Sequence, residues 1–309
     1  MELLNQFSQG CGREHIFGVD ALADAPGLRV VRNPKVAPGA AEPDYVPFLL
    51  DFCRQNEIDM LIPLIDPELE IISQHVAQFE ELGCLVISSG LDTIEICNDK
   101  VKTAEFCLYN SIPHPAVIYK PVHESDFPLF VKPRFGSRSV GATKVKSQRE
   151  LDVILASGGA WLIQEFVDGQ EYTIDVLVNQ RRQVGFCVPR KRIDVRDGEV
   201  IKASTVRDEA IIELCIKVAS VLPDPFGVLC MQCFKKPSGE VVLTEINPRF
   251  GGGSPLSIHA GADFPGNLIA WLNDSSQPVF TNRWKEGRRM SRYFGATYWD
   301  ESGAGATND

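Results

Sequence analysis

The stretch Thr244–Gly253 reads Thr-Glu-Ile-Asn-Pro-Arg-Phe-Gly-Gly-Gly and places a carboxylate, an amide and a guanidinium at alternating positions before three glycines. Side chains alternate between the two faces of an extended strand, so Glu245, Asn247 and Arg249 are predicted to share one face. Carboxylate and amide oxygens suit Mg²⁺, which keeps waters and substrate phosphates as further ligands. The stretch therefore predicts a strand end that binds metal and phosphate. A buried strand end in which Glu245 pairs with Arg249 is the structural alternative.

A second informative segment, Pro128–Gly141, reads Pro-Leu-Phe-Val-Lys-Pro-Arg-Phe-Gly-Ser-Arg-Ser-Val-Gly. It begins as a short apolar strand that carries Lys132 and continues as a loop rich in glycine, serine and arginine. Glycines let backbone N–H groups approach an anion closely, and serine hydroxyls supply further donors. The Gly-Lys-Ser/Thr ending of a P-loop is absent. The segment predicts a phosphate-binding loop, with a hairpin that has a solvated basic tip as the alternative.

The third segment, Trp161–Val176, contains two apolar strands separated by a turn at Asp168-Gly169. Taken in order, the strand lysine, the glycine-rich loop, Gln-Glu-Phe-Val followed by Gly-Gln-Glu, and the late Glu-Ile-Asn-Pro-Arg resemble the ATP-grasp superfamily. Within it, the chain is most similar to free-standing proteins like the large subunit of carbamoyl-phosphate synthase. The resemblance covers nearly the whole chain. It implies an α/β fold, α+β in the ATP-binding part, with ATP between two sheets.

The resemblance implies nucleotide-binding roles for residues at matching positions. Lys100 and Lys132 match two lysines near the nucleotide phosphates, and Glu171 matches the carboxylate that accepts from the ribose hydroxyls. The remaining predicted nucleotide contacts are the phosphate-loop residues Gly136, Ser137, Ser139 and Gly141 and the backbone of Glu165 and Val167 beside the adenine.

The resemblance also implies metal-binding and catalytic positions. Glu245 and Asn247 match two metal ligands, and Gln232 lies on the preceding strand where relatives carry Asp, Glu or Gln. A register shift of one residue would instead direct Gln232 into the core. The predicted catalytic residues are Arg249, Lys132 and Arg192. ATP and Mg²⁺, with Mn²⁺ as an alternative ion, are the predicted cofactors.

The activity implied by the resemblance is ligation of a carboxylate to an amine or another nucleophile. The carboxylate attacks the γ-phosphate of ATP, and the nucleophile then displaces phosphate from the acylphosphate, so that ADP and phosphate are released. A carbamoyl-phosphate-synthase-like phosphotransferase acting on bicarbonate or carbamate, and an ATP-binding regulatory protein without turnover, remain alternatives. The implied partners are small-molecule carboxylate and amine substrates and a second copy of the chain in a homodimer.

Substrate recognition is predicted at the basic segment Pro189–Asp194, with a basic exposed strand edge as the alternative. The net charge of −10 over 309 residues argues against nucleic acid as a partner, because backbone binding needs a clustered basic surface. An 18-residue uncharged apolar run and a signal-peptide pattern are both absent from the sequence, which favours a cytoplasmic protein without a membrane partner. The nine irregularly spaced cysteines are expected to be reduced and buried.

Four regions are predicted along the chain. Residues 1–93 alternate short apolar strands with amphipathic helices, as in a doubly wound, Rossmann-like pre-ATP-grasp domain. Residues 94–163 are predicted to form the ATP-grasp small lobe, residues 164–275 the large lobe, and residues 276–309 a C-terminal tail.

The first region carries two further expectations. The opening Met1–Phe7 has a helical pattern where relatives begin with a strand, so the first domain is expected to be truncated, or its coding sequence to start further upstream. Helices are predicted over Tyr45–Gln55 and Pro67–Glu81 from apolar residues three and four apart. Just before the second helix, Asp66 either faces the cleft or caps the helix.

Overall fold

The computed structural model describes residues 1–119, 121–137, 139–196, 198–274, 276–277, 283–293 and 295–299. The N-terminal region alternates helices with short strands. β1 pairs with β2 and β3 with β4, each in parallel, which agrees with the predicted doubly wound pattern. The elements of this region are α1 (Glu2–Cys11), β1 (Phe17–Asp20), β2 (Arg32–Val36), α2 (Tyr45–Asn56), β3 (Met60–Leu61), α3 (Asp66–Ser73), α4 (Val76–Glu80) and β4 (Leu85–Val86).

The helices of this region bury one apolar face each. In α2 the buried residues Val46, Leu49 and Cys53 recur at helical spacing, so they form one stripe against the core. The prediction of a single helix over residues 67–81 is wrong in one respect, because the structure has two helices there, α3 and α4. His75 lies at the division, and its Nδ1 is 2.8 Å from the carbonyl oxygen of Ile71. Leu49 and its neighbours pack with residues of α3, α4 and β4 in a core of their own.

The next part of the chain builds a small antiparallel sheet with the strand order β6-β5-β7. Two helices precede it, and Asp99 caps the second by accepting from the backbone N–H of Val101 at 2.9 Å. A further helix crosses between β6 and β7 and begins after its N-cap Ser147. The elements are α5 (Leu91–Asn98), α6 (Lys100–Tyr109), β5 (Leu129–Pro133), β6 (Thr143–Val145), α7 (Gln148–Ala156) and β7 (Trp161–Glu165).

The largest sheet has six antiparallel strands in the order β12-β11-β8-β9-β10-β13. The main hydrophobic core lies between this sheet and helices that include α8. The elements are β8 (Gln170–Val178), β9 (Val184–Arg196), β10 (Glu199–Thr205), α8 (Glu209–Val221), β11 (Gly227–Lys235), β12 (Val241–Asn247), α9 (Ser254–His259), α10 (Phe264–Ala270) and β13 (Arg289–Ser291).

Two connections determine how the site is assembled. The strands β7 and β8, predicted on either side of a turn, belong to different sheets, so residues 166–169 link the small sheet to the large one. Strand β13 lies within the predicted tail and pairs with β10 at the edge of the large sheet. The domain boundaries at 93/94, 163/164 and 275/276 remain predictions. Among the described residues, none of the helices has the length and apolar character needed to cross a membrane.

Candidate active site

The three predicted metal ligands lie together on neighbouring strands of the large sheet. Gln232 of β11 is the direct cross-strand partner of Glu245 on β12, and Cys230 is the partner of Asn247. The pairing shifts by one residue between Gln232 and Cys233, which leaves Thr244 as a bulged residue. With this register, Gln232 and Glu245 line one cavity of about 90 Å³ together with Asn247. The alternative register, with Gln232 in the core, is therefore not formed.

Hydrogen bonds hold two of these predicted metal ligands, Glu245 and Asn247, in place. The Nδ2 of Asn247 donates to Oε1 of Glu245 at 3.0 Å and to the carbonyl oxygen of Cys230 at 3.4 Å. Within the described part of the chain, groups of three or more His, Cys, Asp or Glu that could hold a metal ion are absent. The three predicted ligands are one carboxylate and two amides. Their oxygens suit Mg²⁺, and the remaining coordination positions of the ion are left for water or phosphate.

Lys132 reaches the same place from the small sheet. Its side chain comes from β5, is 7% exposed, and donates from Nζ to the carbonyl oxygen of the bulged Thr244 at 3.2 Å. Burial lowers the pKa of Lys132 to about 8, although the charge of Glu245 acts in the opposite direction. The bulged residue next to Glu245 thus also accepts from the lysine, and the charge of Glu245 on one sheet favours the charged form of Lys132 on the other.

The predicted phosphate loop lies between Lys132 and β6. Lys100 donates from Nζ to the carbonyl oxygen of Gly136 at 2.6 Å. Burial lowers the pKa of Lys100, with Glu245 opposing this shift. Ser137 and Ser139 line the cavity. Three loop residues have the positive φ that glycine adopts most easily, namely Gly136 at 103°, Ser139 at 57° and Gly141 at 75°.

The base of the loop is fastened to the start of α6. Arg134 donates from Nε to Asp99 at 2.8 Å and from Nη2 at 2.5 Å, so both oxygens of the capping carboxylate are engaged. The backbone N–H of Lys100 also donates to the carbonyl oxygen of Arg134 at 3.1 Å. The loop therefore begins from a fixed point beside one of the predicted phosphate lysines.

The predicted ribose carboxylate, Glu171, lies at the start of β8 and is paired with Arg192. Nη1 of Arg192 donates to Oε1 of Glu171 at 2.5 Å, and Nη2 donates to the carbonyl oxygen of Gly198 at 2.9 Å. Burial raises the pKa of Glu171, against the effect of the neighbouring arginine. The structure places Arg192 in the cavity wall, where it holds Glu171. Glu165 ends β7, and Val167 lies buried in the link that follows.

A fully buried ion pair was missed by the sequence reasoning. Arg190 is 1% exposed and donates from Nε and Nη2 to Asp175 at 2.7 and 3.0 Å. Ser254 and Ser257 donate to the same carboxylate at 2.7 and 2.5 Å. Because β9 lies between β8 and β10, the alternative of an exposed strand edge at residues 189–194 is wrong. The signal in the sequence was Asp175, a carboxylate among the apolar residues of β8.

Arg249 lies in the cavity wall, but its partner is not Glu245. Its Nε and Nη2 donate to the two carboxylate oxygens of Asp66 at 2.5 and 2.6 Å. Burial disfavours the charged guanidinium, yet Asp66 raises the pKa of Arg249 above its usual value. The predicted alternative of a Glu245–Arg249 pair is therefore not formed. A carboxylate of the N-terminal region takes that place.

Comparisons with known proteins give matches to both the N-terminal region and the later part of the chain. Residues 97–253 match the profile of the family described as "ATP-grasp domain", and residues 1–87 match "PylC-like, N-terminal domain". A curated relative, the 3-methyl-D-ornithine–L-lysine ligase of Methanosarcina mazei, is 27% identical over 221 residues, covering 70% of this chain and 55% of the relative. The match thus spans about half the length of that protein.

Solved structures show the same fold at low sequence identity. The biotin carboxylase of Campylobacter jejuni in complex with β-γ-ATP has a TM-score of 0.74 at 13% identity, covering 93% of this chain and 72% of that one. The L-amino acid ligase of Bacillus licheniformis has a TM-score of 0.70 at 17% identity, covering 91% and 72%. Both likenesses concern the fold.

Proposed function

The chain belongs to the ATP-grasp family, and on this premise we propose that it is an ADP-forming ligase that joins a carboxylate to an amine through an acylphosphate. One observation carries the proposal: Lys132 from the small sheet and oxygen ligands from the large sheet come together next to Glu245. Lys132 donates to the carbonyl oxygen of Thr244, directly beside Glu245, while Gln232 and Asn247 line the same cavity as Glu245. Phosphoryl transfer from ATP uses both kinds of group close together, because cations bind the phosphates and oxygen ligands hold the metal ion.

In the proposed complex, ATP lies between the two sheets. Lys100 and Lys132 contact its phosphates, and Ser137 and Ser139 approach them from the loop. Gly136 and Gly141 allow the loop backbone to turn its N–H groups towards the anion. Glu171, held by Arg192, accepts from the ribose hydroxyls. These roles are supported by the match to the family, by Ser137 and Ser139 in the cavity wall, and by the hydrogen bond from Lys132 to Thr244 beside Glu245.

Mg²⁺ would be held by Gln232, Glu245 and Asn247, whose side chains line the cavity together. When bound, the ion neutralises negative charge on the phosphates and favours phosphoryl transfer. Carboxylate and amide oxygens also accept Mn²⁺. The ligand set is supported by the direct pairing of Gln232 with Glu245 and by the hydrogen bond from Asn247 to Glu245.

The proposed reaction has two steps. A carboxylate oxygen of the first substrate bonds to the γ-phosphorus of ATP as the bond to the β–γ bridging oxygen breaks, and ADP leaves. The amine nitrogen then bonds to the acyl carbon, phosphate departs, and the nitrogen loses a proton. Arg249 binds the transferred phosphoryl group or the substrate carboxylate through the N–H groups of Nη1 and Nη2 that are not bonded to Asp66. The scheme needs no nucleophile from the protein.

Amino acids are the proposed substrate class. The support is the name of the Methanosarcina mazei relative, which joins 3-methyl-D-ornithine to L-lysine, together with the name of the L-amino acid ligase of similar fold. A homodimer and a cytoplasmic location remain predictions from the resemblance and from the sequence.

The test is phosphate release from Mg·ATP by the purified protein with pools of amino acids and small carboxylic acids, with mass spectrometry of the products. Substrate-dependent release is expected, together with a condensation product that Glu245→Gln does not form. Carbamoyl phosphate formed from bicarbonate would instead identify a phosphotransferase. Tight ATP binding without turnover in any pool would contradict the ligase and favour a regulatory protein.

A further inference from the structure

The carboxylate of Asp66 is not needed to cap its own helix. Glu68 performs that task, because its Oε1 accepts from the backbone N–H groups of Leu64 and Ile65 at 2.5 and 3.0 Å. The other oxygen of Glu68 accepts from the hydroxyl of Tyr45 at 2.5 Å. Asp66 is thus left to face a different part of the molecule, and helix capping does not explain it.

The partner of Asp66 is Arg249, 183 positions further along the chain. The two side chains are 22% and 16% exposed, and they form a parallel, two-bond contact at 2.5 and 2.6 Å. Nη1 of Arg249 also donates to the carbonyl oxygen of Phe250 at 3.1 Å. Because the guanidinium is planar and bonded at both ends, these contacts determine its orientation as well as its position.

The arginine of this pair belongs to the candidate active site. Arg249 lines the cavity with Glu245, and its Nη2 is 3.4 Å from Oδ1 of Asn247, one of the proposed metal ligands. The negative charge of Asp66 also favours the charged form of Lys100. The first residue of α3, in the N-terminal region, therefore supplies a charged group next to a site that is otherwise built from later parts of the chain.

We propose that Asp66 is a positioning residue for Arg249. The assignment rests on the proposed function, in which Arg249 binds the reacting phosphoryl group or carboxylate. Without the two-bond contact, the long arginine side chain is free to rotate away from the reacting atoms. A displacement of about 1 Å can cost about 100-fold in rate. The N-terminal region would then be part of the catalytic unit.

The first experiment compares kinetic constants of purified variants. Asp66→Asn keeps the size of the side chain but removes its charge, and kcat is expected to fall about 30- to 100-fold with KM for Mg·ATP unchanged within about twofold. Asp66→Glu restores the charge and is expected to recover part of the loss. Asp51→Asn is the matched control, because Asp51 pairs with Arg54 on the exposed surface of the same region at 2.6 Å.

A double variant separates positioning from a general loss of stability. Once Arg249→Gln has removed the arginine, adding Asp66→Asn is expected to reduce kcat no further, since the two residues act as one unit. Losses in the single variants that multiply in the double variant would overturn the proposal. So would an Asp66→Asn protein that melts at a lower temperature but retains kcat within twofold.

A measurement without turnover keeps the two hypotheses apart. The Nε–H signal of Arg249 in ¹⁵N-resolved NMR spectra, assigned by its absence in Arg249→Gln, is expected to exchange slowly in the wild type and to move and broaden in Asp66→Asn. If the wild type turns over none of the acids, the proposed function fails, and this signal alone decides the positioning. An unchanged signal in Asp66→Asn would overturn it.

Discussion

The two sheets that meet at the cavity contribute to it in different ways. Strands β8 to β12 of the large sheet are 7 to 13 residues long, and their charged side chains hold one another in pairs such as Asp175–Arg190 and Glu171–Arg192. Strands β5 to β7 of the small sheet are three to five residues long. They present Lys132 and an exposed loop with three residues at positive φ.

The difference assigns separate tasks to the two sides. Groups fixed by partners before the ligand arrives lose little freedom on binding, so the large sheet provides a preorganised set of oxygen donors. A loop with few buried contacts is ordered at low cost by a ligand that satisfies its backbone donors. The metal side of the site is therefore expected to tolerate almost no change, whereas the loop side should tolerate graded changes in affinity.

The strongest test of this contrast is Glu245→Gln on the preorganised side. Removal of the only carboxylate of the proposed metal set is expected to lower kcat about 1,000-fold, equivalent to about 4 kcal/mol. Steady-state phosphate release measures the effect. Glu240→Gln is the control, because Glu240 begins the same arm of the hairpin and pairs there with Lys236 at 3.1 Å. A loss below tenfold in Glu245→Gln would break the comparison.

Asp175→Asn tests whether the same sheet depends on its buried pair for stability. Loss of the carboxylate leaves Arg190 as an uncompensated buried charge, and the free energy of unfolding is expected to fall by about 3 to 5 kcal/mol. Urea denaturation measures this. Asp194→Asn should change the free energy of unfolding by less than about 0.5 kcal/mol, because its contacts with Arg196 and Lys202 are partly exposed and 3.9 Å long. Similar losses for the two variants would contradict the assignment.

On the small-sheet side, the lowered pKa of Lys132 predicts a pH effect on ATP binding. The free protein loses this proton as the pH rises through about 8. Phosphate favours the charged lysine, so binding takes up a proton above that pH and affinity falls between pH 8 and 10.5. A decrease of up to about tenfold is expected at pH 9 relative to pH 7.

Titration calorimetry measures the affinity for Mg·ATP at each pH. The same titrations in buffers of different ionisation enthalpy measure the proton uptake, because the observed binding enthalpy then depends on the buffer. Lys132→Arg is expected to show no such proton uptake near pH 8, because guanidinium stays charged over the whole range. A wild-type affinity that does not change from pH 7 to pH 9 would show that Lys132 is not close to the phosphates.

The smallest expected effect concerns the loop itself. Gly141 has φ of +75°, and an added Cβ would lie 3.0 Å from Cγ of Pro133, so Gly141→Ala is strained. A cost of about 1 kcal/mol is expected to raise the dissociation constant of ATP about fivefold. Gly158→Ala is the control, since Gly158 has φ of +78° in the turn before β7 with no neighbour within 4 Å. An equal effect of both variants on ATP affinity would contradict a role of the loop.

Much of the site was predictable because its signals are local. Strand alternation correctly predicted that Glu245, Asn247 and Arg249 lie together at the cavity. The same rule predicted that Ile246 points to the other face of the strand, where it is buried in the main core. The apolar run around Lys132 likewise identified β5. The register of Gln232 was left open, because a bulge at Thr244 depends on cross-strand packing that the sequence of one strand does not reveal.

Other features depended on segments far apart in the chain. The sequence showed basic residues at 190 and 192, but the strand order of the large sheet buried Arg190 against Asp175 and placed Arg192 on Glu171. It also left open whether Asp66 faces the cleft or caps its helix, and it did not indicate the partner of Asp66. None of these three pairings follows from spacing, because each partner lies on another strand or in another region.

By itself, the sequence determined which strands carry chemistry and which side chains share a face, since the period of a strand is a property of the local backbone. The tertiary structure determined which charged side chains contact which partners. The packing of the N-terminal region against the large sheet brought Asp66 to Arg249, and the approach of the small sheet brought Lys132 to Thr244. Ion pairing depends on distances of a few ångströms between distant segments, and only the folded chain sets those distances.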